Sequence, residues 1–362
     1  MKPYRPRPYL APLAALHALV LHVRHLAFNW GLLRSRRAAI NTWVLGNITV
    51  GGTGKSPHVR LFVSELETLV GAGKVGILSR GYGRDEAGFG WVELASTPAE
   101  VGDEPLMLKR QMPDTPVAVC ADRVAGVAQM RAERPELEWV VLDDAFQHRR
   151  LRADVSTVLL DATQPISKDR LIPAGRLRDL RSAVRRADSA LLTRVARNEA
   201  EARAESGWPE GRPMWTTAMR EGRLQPWSQA AFDRPVPTPR ELPSERVRVV
   251  AVAGIARPER FMDGLAHGYQ IVRREAYPDH HAFSRTEIKQ WLVAYDTDGI
   301  VGIITTEKDA TRLEPHRERL NRIPVYYVPL VAEWLDPEGA RTWMREVVAR
   351  TTRGTSAKNQ DI

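Results

Sequence analysis

The chain reads Gly51-Gly-Thr-Gly-Lys-Ser56 between a β-prone run at 42–50 and a helical pattern from 57 to about 70. A strand, a glycine loop and a helix in that order leave few folds open, because the loop and the helix N-terminus must face the same point. Successive glycines let backbone N–H groups curl around phosphate oxygens, Lys55 is placed to reach terminal phosphates, and Ser56 offers a hydroxyl to Mg²⁺. The strict motif has Gly five residues before Gly54, where this chain has Thr49. Gly51 and Gly52 supply flexibility nearby; a merely glycine-rich turn is the alternative reading.

Short apolar runs follow at 74–79, 116–120, 138–142 and 156–161. Their unbroken apolar character predicts strands of a parallel sheet buried on both faces, with helices between them. The expected fold class is α/β: a P-loop NTPase-like, mostly parallel sheet flanked by helices, with a second, smaller α/β domain. The expected boundaries are an N-terminal segment at 1–40, the main domain at 41–220, a Pro- and Arg-rich linker or hairpin region at 221–245, the smaller domain at 246–350, and a disordered polar tail at 351–362.

Trp139-Val-Val-Leu-Asp143-Asp144 ends an apolar strand in two carboxylates, at the edge where open α/β sheets bind ligands. A phosphate loop needs such an acid to hold Mg²⁺. A turn or helix cap after the strand is the ordinary alternative, and either aspartate could be the closer ligand.

The formal charge is +9 and the sequence pI about 9.9, which suits a polyanionic partner without choosing one. Cys120 is the single cysteine, so a disulfide framework and a multi-cysteine zinc site are excluded, and a reducing compartment is expected. The first 40 residues carry seven Lys or Arg and no acid, around an apolar stretch at 9–23 that is short for a membrane span. Basic flanks and Trp30 suit a helix lying in a headgroup layer; a helix packed on the protein's own core and an uncleaved signal-like segment are the alternatives.

Asn47-Ile-Thr-Val-Gly-Gly-Thr-Gly-Lys-Ser-Pro57, Ser79-Arg-Gly-Tyr-Gly83, Gly102-Asp-Glu-Pro105, Asp143-Asp-Ala-Phe-Gln-His-Arg149, Leu171-Ile-Pro-Ala-Gly175, Ala253-Gly-Ile-Ala-Arg-Pro-Glu-Arg-Phe261, Pro278-Asp-His280 and Thr306-Glu-Lys-Asp309 together resemble the successive signatures of the tetraacyldisaccharide 4'-kinase family, in family order over about 10–345. The resemblance implies transfer of the ATP γ-phosphate to the 4'-hydroxyl of an acylated glucosamine disaccharide 1-phosphate, with ATP and Mg²⁺, at the cytoplasmic face of the inner membrane. It implies nucleotide contacts from Asn47, Thr49, Gly51, Gly52, Thr53, Gly54, Lys55 and Ser56, and metal contacts from Ser56, Asp143 and Asp144. It makes Asp103 the base, supported by His280, and assigns Arg80, Tyr82, Arg123 and Arg178 to the phosphate and headgroup region. Read without the resemblance, Gly102-Asp-Glu-Pro105 is a helix start and both His280 and His281 are loop histidines. Arg178-Asp179 stands where the family form is Arg-Glu, one methylene longer.

A switch GTPase or assembly ATPase is the main rival. No Asn-Lys-x-Asp for guanine is present, and Thr306-Glu-Lys-Asp309 has the wrong spacing for it. Nucleic-acid binding would rest on the basic pI alone.

Overall fold

Every residue of β1 (Asn41–Gly46) is buried, as expected of a strand with helices on both sides, and it runs parallel between β5 (Trp139–Asp143) and β6 (Val155–Asp161). The computed structural model describes residues 7–195, 198–234 and 247–358. The larger sheet also contains β2 (Val75–Ser79), β3 (Gly90–Trp91), β4 (Val117–Val119), β7 (Ser189–Thr193), β8 (Met214–Glu221) and β14 (Leu330–Trp334). Its order is β14-β8-β7-β6-β1-β5-β2-β4-β3, antiparallel only at the two outer pairs. The period-2 alternation of β1 splits its residues between two cores. Trp43 and Leu45 join α2 (Lys55–Val70) and the helix Pro337–Lys358, and Val44 joins the layer under the helix Arg123–Glu133.

The smaller sheet comprises β9 (Gln225–Pro226), β10 (Arg248–Ala253), β11 (Gln270–Ala276), β12 (Gly302–Thr306) and β13 (Val325–Val328), ordered β11-β10-β12-β13-β9. Only β9 runs antiparallel. Outside both lies α1 (Ala11–Asn29), of which Ala14 and Leu21 alone are buried.

The chain departs from the boundaries expected from sequence in three places. The smaller unit ends at Val328, after which β14 and the helix Pro337–Lys358 return to the larger sheet. Trp343, Met344 and Val347 supply the reason, since they bury apolar surface in the core containing Trp43 and Phe62. Residues 225–226 and 229–233 of the expected linker form β9 and a short helix, and 235–246 lie outside the described residues. The expected tail is helical to Lys358, continuing a helix already anchored upstream, and 359–362 lie outside the described residues.

The two units are joined by a ribbon rather than a single linker. β8 pairs antiparallel with β14, Gly222 donates to the Pro329 carbonyl at 2.8 Å, and β9 then pairs with β13. A Cβ on Gly222 would come within 2.8 Å of the Pro329 ring, so the crossing point has no room for a side chain.

Trp43 is fully buried among Phe62, Trp139 and Trp343 at ring distances of 5.3–5.9 Å, and its Nε1–H donates to Thr157 Oγ1 at 2.8 Å. Trp43→Ala is expected to cost about 3–5 kcal/mol in urea unfolding, because it opens a cavity between the sheet and the two helices that carry Phe62 and Trp343. His58, fully buried on α2, meets the Gly54 carbonyl through Nδ1 at 2.7 Å and Thr217 Oγ1 through Nε2 at 2.8 Å. Burial lowers its pKa from 6.5 to about 4, against a smaller opposing effect of the Gly54 carbonyl. The fold therefore holds this ring neutral while the unfolded chain takes up a proton below 6.5, so its contribution to stability is full above that pH and declines as pH falls to about 4. The loss amounts to roughly 3 kcal/mol. His58→Gln is expected to flatten this part of the stability profile between pH 7 and 4, read from urea midpoints.

Candidate active site

β1 ends at Gly46 and the chain then leaves the sheet, so Asn47 to Gly54 form a loop over the strand ends. Asn47 is fully buried and organises it: Nδ2 donates to Thr53 Oγ1 at 2.8 Å and to Thr49 Oγ1 at 3.4 Å. Thr49 sits opposite Leu177 in an antiparallel bridge, and the Val50 N–H donates to the Arg176 carbonyl at 2.8 Å. Thr49 therefore serves where the strict motif has glycine, because its hydroxyl and extended backbone are both used. Gly51 and Gly54 have φ of 103° and 83°, which favours glycine, and Gly54 caps α2. Lys55 and Ser56 open that helix, facing the loop.

Asp143 closes β5 beside Leu45 of β1, so the acid pair and the glycine loop share one sheet edge. The Asp143 side chain accepts from Ser79 Oγ at 3.2 Å on Oδ2, whereas Oδ1 is buried without a hydrogen-bond partner. Burial pushes this carboxyl up to about 7, and Glu104 and Asp144 add to the shift. Asp144 has φ of 50°, a left-handed conformation that costs of order 1–3 kcal/mol in a residue other than glycine. Burial works against its charge too, but Arg178 and Lys55 outweigh that and hold its pKa below the usual carboxylate range. Arg178 grips both Asp144 oxygens, with Nη1 at 2.9 Å from Oδ2, and also donates to the Asn47 carbonyl at 3.1 Å. Lys55 Nζ lies 3.7 Å from Asp144 Oδ1.

A second cluster spans the two units. Gly102, with φ of 90° and Tyr82 O where a Cβ would stand at 3.0 Å, lets the helix Asp103–Gln111 start close against the 80–83 turn. Asp103 Oδ2 accepts from Arg312 Nε at 2.9 Å and Nη2 at 2.6 Å, and lies 3.3 Å from His280 Nδ1. Lys308 Nζ reaches Glu104 at 3.0 Å and Asp279 at 3.7 Å. Burial opposes ionisation of Asp103, but Lys308, Arg312 and His280 outweigh it and lower its pKa. His280 also has positive φ, 63°. Two of the three non-glycine residues with positive φ among the described residues thus belong to these clusters.

The fold brings together most of the residues singled out from sequence. His280 faces Asp103, while His281 stacks on Tyr277 at 4.5 Å and pairs with Glu287 at 3.0 Å. Arg80 and Tyr82 are exposed at the end of β2. Of the four residues assigned to the phosphate and headgroup region, Arg123 and Arg178 lie beside the acid pair, with their guanidinium groups bonded to protein atoms. Arg123 is 2% exposed and donates to the Cys120, Ala121 and Asp143 carbonyls. Sequence reading missed Arg312 and Lys308, although Thr306-Glu-Lys-Asp309 opens the helix that carries them. It also missed Arg194, which bridges Asp161 at 2.6 Å and the Gly52 carbonyl at 2.8 Å, and Gln147, whose amide donates to the Asn47 carbonyl at 2.8 Å. A cavity of about 1480 Å³ beside the end of α1 is lined by Arg34, Arg149 and Arg186, but by none of the acids or Lys55 described above, so size does not identify the reactive centre.

The profile of the family described as "Tetraacyldisaccharide-1-P 4'-kinase" matches residues 6–349. A tetraacyldisaccharide 4'-kinase of Chromobacterium violaceum is 36% identical over 346 residues, covering 92% of this chain and 95% of the relative. One from Cytophaga hutchinsonii is 33% identical over 327 residues, covering 89% and 90%. The crystal structure of LpxK from Aquifex aeolicus in complex with ATP superposes with a TM-score of 0.73 at 25% identity, covering 95% of this chain and 99% of that one. With a family match over residues 6–349 and relatives above 30% identity that cover 89% and 92% of it, the chain belongs to the tetraacyldisaccharide 4'-kinase family.

Proposed function

We propose that the cleft between the two clusters carries the reaction of the family: transfer of the ATP γ-phosphate to the 4'-hydroxyl of tetraacyldisaccharide 1-phosphate, giving the 1,4'-bisphosphorylated lipid A precursor. The observation behind this reading is that Asp103, from the larger unit, meets His280, from the smaller one, near an edge that also carries Lys55 and the acid pair. The N–H groups of the glycine loop and the start of α2 bind phosphate oxygens, and Lys55 sets a positive charge against the terminal ones. Asp103 accepts the proton of the sugar hydroxyl, a weak nucleophile that gains from a positioned base. Its lowered pKa keeps it ionised for that task, with Arg312 and His280 fixing its orientation.

The donor set fits Mg²⁺. Asp143 Oδ1 is buried and unpartnered, and its carboxyl is driven toward the protonated form by burial, a combination that a cation relieves. Ser56, Asp143 and Asp144 would hold the ion, Asp143 being the acid with an oxygen to spare. Bound there, Mg²⁺ supplies charge neutralisation of the phosphate oxygens. Arg80 and Tyr82, exposed at the rim, would meet the sugar and its 1-phosphate, while Arg123 and Arg178 orient the acid pair.

We also propose that the enzyme sits on the cytoplasmic face of the inner membrane through α1. Among the described residues this is the one helix long and apolar enough to cross a bilayer, longer than the apolar run at 9–23 suggested. Leu13, Leu16, Leu19, Val20 and Val23 are all exposed. His17 meets the Ile172 carbonyl at 3.0 Å and Arg24 donates to that of Gln147 at 2.8 Å, and both contacts favour a helix lying along the surface over one that spans.

Labelled γ-phosphate from Mg-ATP is expected in the 4'-position of the disaccharide lipid in micelles, and to be lost in Lys55→Ala. Release of free phosphate without lipid product would favour a switch ATPase instead. Asp103→Asn is expected to lower kcat by about 10²–10⁴-fold with Mg-ATP affinity nearly unchanged; equal loss of both would remove it as the base. Deletion of residues 1–35 is expected to abolish binding to anionic lipid vesicles in flotation, and retained binding would remove α1 as the attachment.

A further inference from the structure

Of two neighbouring residues of α1, one is a short chain of contacts from Asn47, on which the glycine loop hangs, and the other contacts the residue next to Arg178 in the chain. Arg24 Nη2 donates to the Gln147 carbonyl at 2.8 Å, and the Gln147 side chain donates to the Asn47 carbonyl at 2.8 Å. His25 Nε2 meets Asp179 Oδ1 at 2.6 Å, and Asp179 directly follows Arg178, the residue that grips Asn47 and Asp144. Arg149 closes the arrangement, donating to the His25 carbonyl at 3.1 Å and to Asn29 Oδ1 at 2.8 Å. Its Nη1 also stands 3.0 Å from His25 Nδ1, which fits an imidazole with its proton on Nε2, donated to Asp179.

Asp179 is fully buried and fully used. Oδ1 takes His25 and the Leu180 N–H at 2.8 Å, and Oδ2 takes Arg186 at 2.8 Å. The shorter acid is thus reached by a histidine from α1. A helix with only two buried residues adds little to the hydrophobic core, so polar contacts such as these seat α1 on the protein body.

We infer that Arg24 and His25 are positioning residues for phosphoryl transfer: the seat of α1 on the protein body fixes Asn47 and Asp144 through Gln147 on one route and Asp179–Arg178 on the other. The lipid-facing helix and the nucleotide site are then one mechanical unit. This rests on the reading of Asn47 and Asp144 as nucleotide-site residues given above.

The test measures Mg-ATP affinity of the full chain in detergent micelles that contain no disaccharide lipid, together with kcat and both KM values in micelles that do. His25→Ala is expected to weaken Mg-ATP binding about 10-fold, as removal of a group that orients metal ligands does, with the lipid KM nearly unchanged. His25→Gln, whose amide can still donate to Asp179, should restore most of the affinity. Arg24→Ala, on the separate Gln147 route, carries the same expectation should His25→Ala fail to fold. A raised lipid KM with unaltered Mg-ATP affinity in these variants would overturn the proposal and leave α1 an attachment only. Failure of the wild-type chain to phosphorylate the lipid would instead count against the kinase reading, since the affinity measurement is made without the acceptor.

Discussion

The guanidinium of Arg178 is what the reactive edge is built around. Asp143 and Asp144 stand side by side at the end of one strand, and two adjacent carboxylates out of water repel each other unless a cation lies between or beside them. Arg178 resolves this asymmetrically: it takes Asp144 wholly, through both oxygens, and leaves Asp143 with a buried oxygen facing no donor. One acid is anchored to the loop by a guanidinium, and the other keeps an oxygen in need of positive charge. The same guanidinium holds the Asn47 carbonyl, and the Arg178 N–H donates to the Ile48 carbonyl at 2.8 Å, so the loop cannot shift without disturbing the acid pair.

The second cluster shows the same economy of charge at the boundary between units. Asp103 is desolvated by the approach of the smaller unit, and the same unit supplies Arg312, Lys308 and His280 that keep it ionised. An aspartate at a helix start is unremarkable in the larger unit alone; its pKa is lowered because the other unit brings cations against it.

Sequence made the larger sheet legible because its strands are buried on both faces and so read as unbroken apolar runs, and the glycine loop because its residue types have few other uses. The acid pair was visible for the same reason, standing where an apolar run stops. Arg312 and Lys308 were not, since a basic residue on a short helix looks the same in solvent as in a cross-unit ion pair, and only the packing of that helix against Asp103 separates the two. The return of β14 and the C-terminal helix to the larger sheet was hidden too: Leu330–Trp334 follows β13 after a single proline, and nothing local says that the strand changes sheets. His25 lies just past the apolar run at 9–23 and has no sequence signal of its own until Asp179 is seen beneath it.

The crossing at Gly222 and Pro329 has a kinetic meaning. A single covalent linker would let the smaller unit tumble, and His280 and Arg312 would find Asp103 only after an orientational search. A paired ribbon limits the relative motion open to the two units to bending and twisting about one short axis. Most of the rotational entropy of bringing His280 and Arg312 to Asp103 is then lost once, when the chain folds.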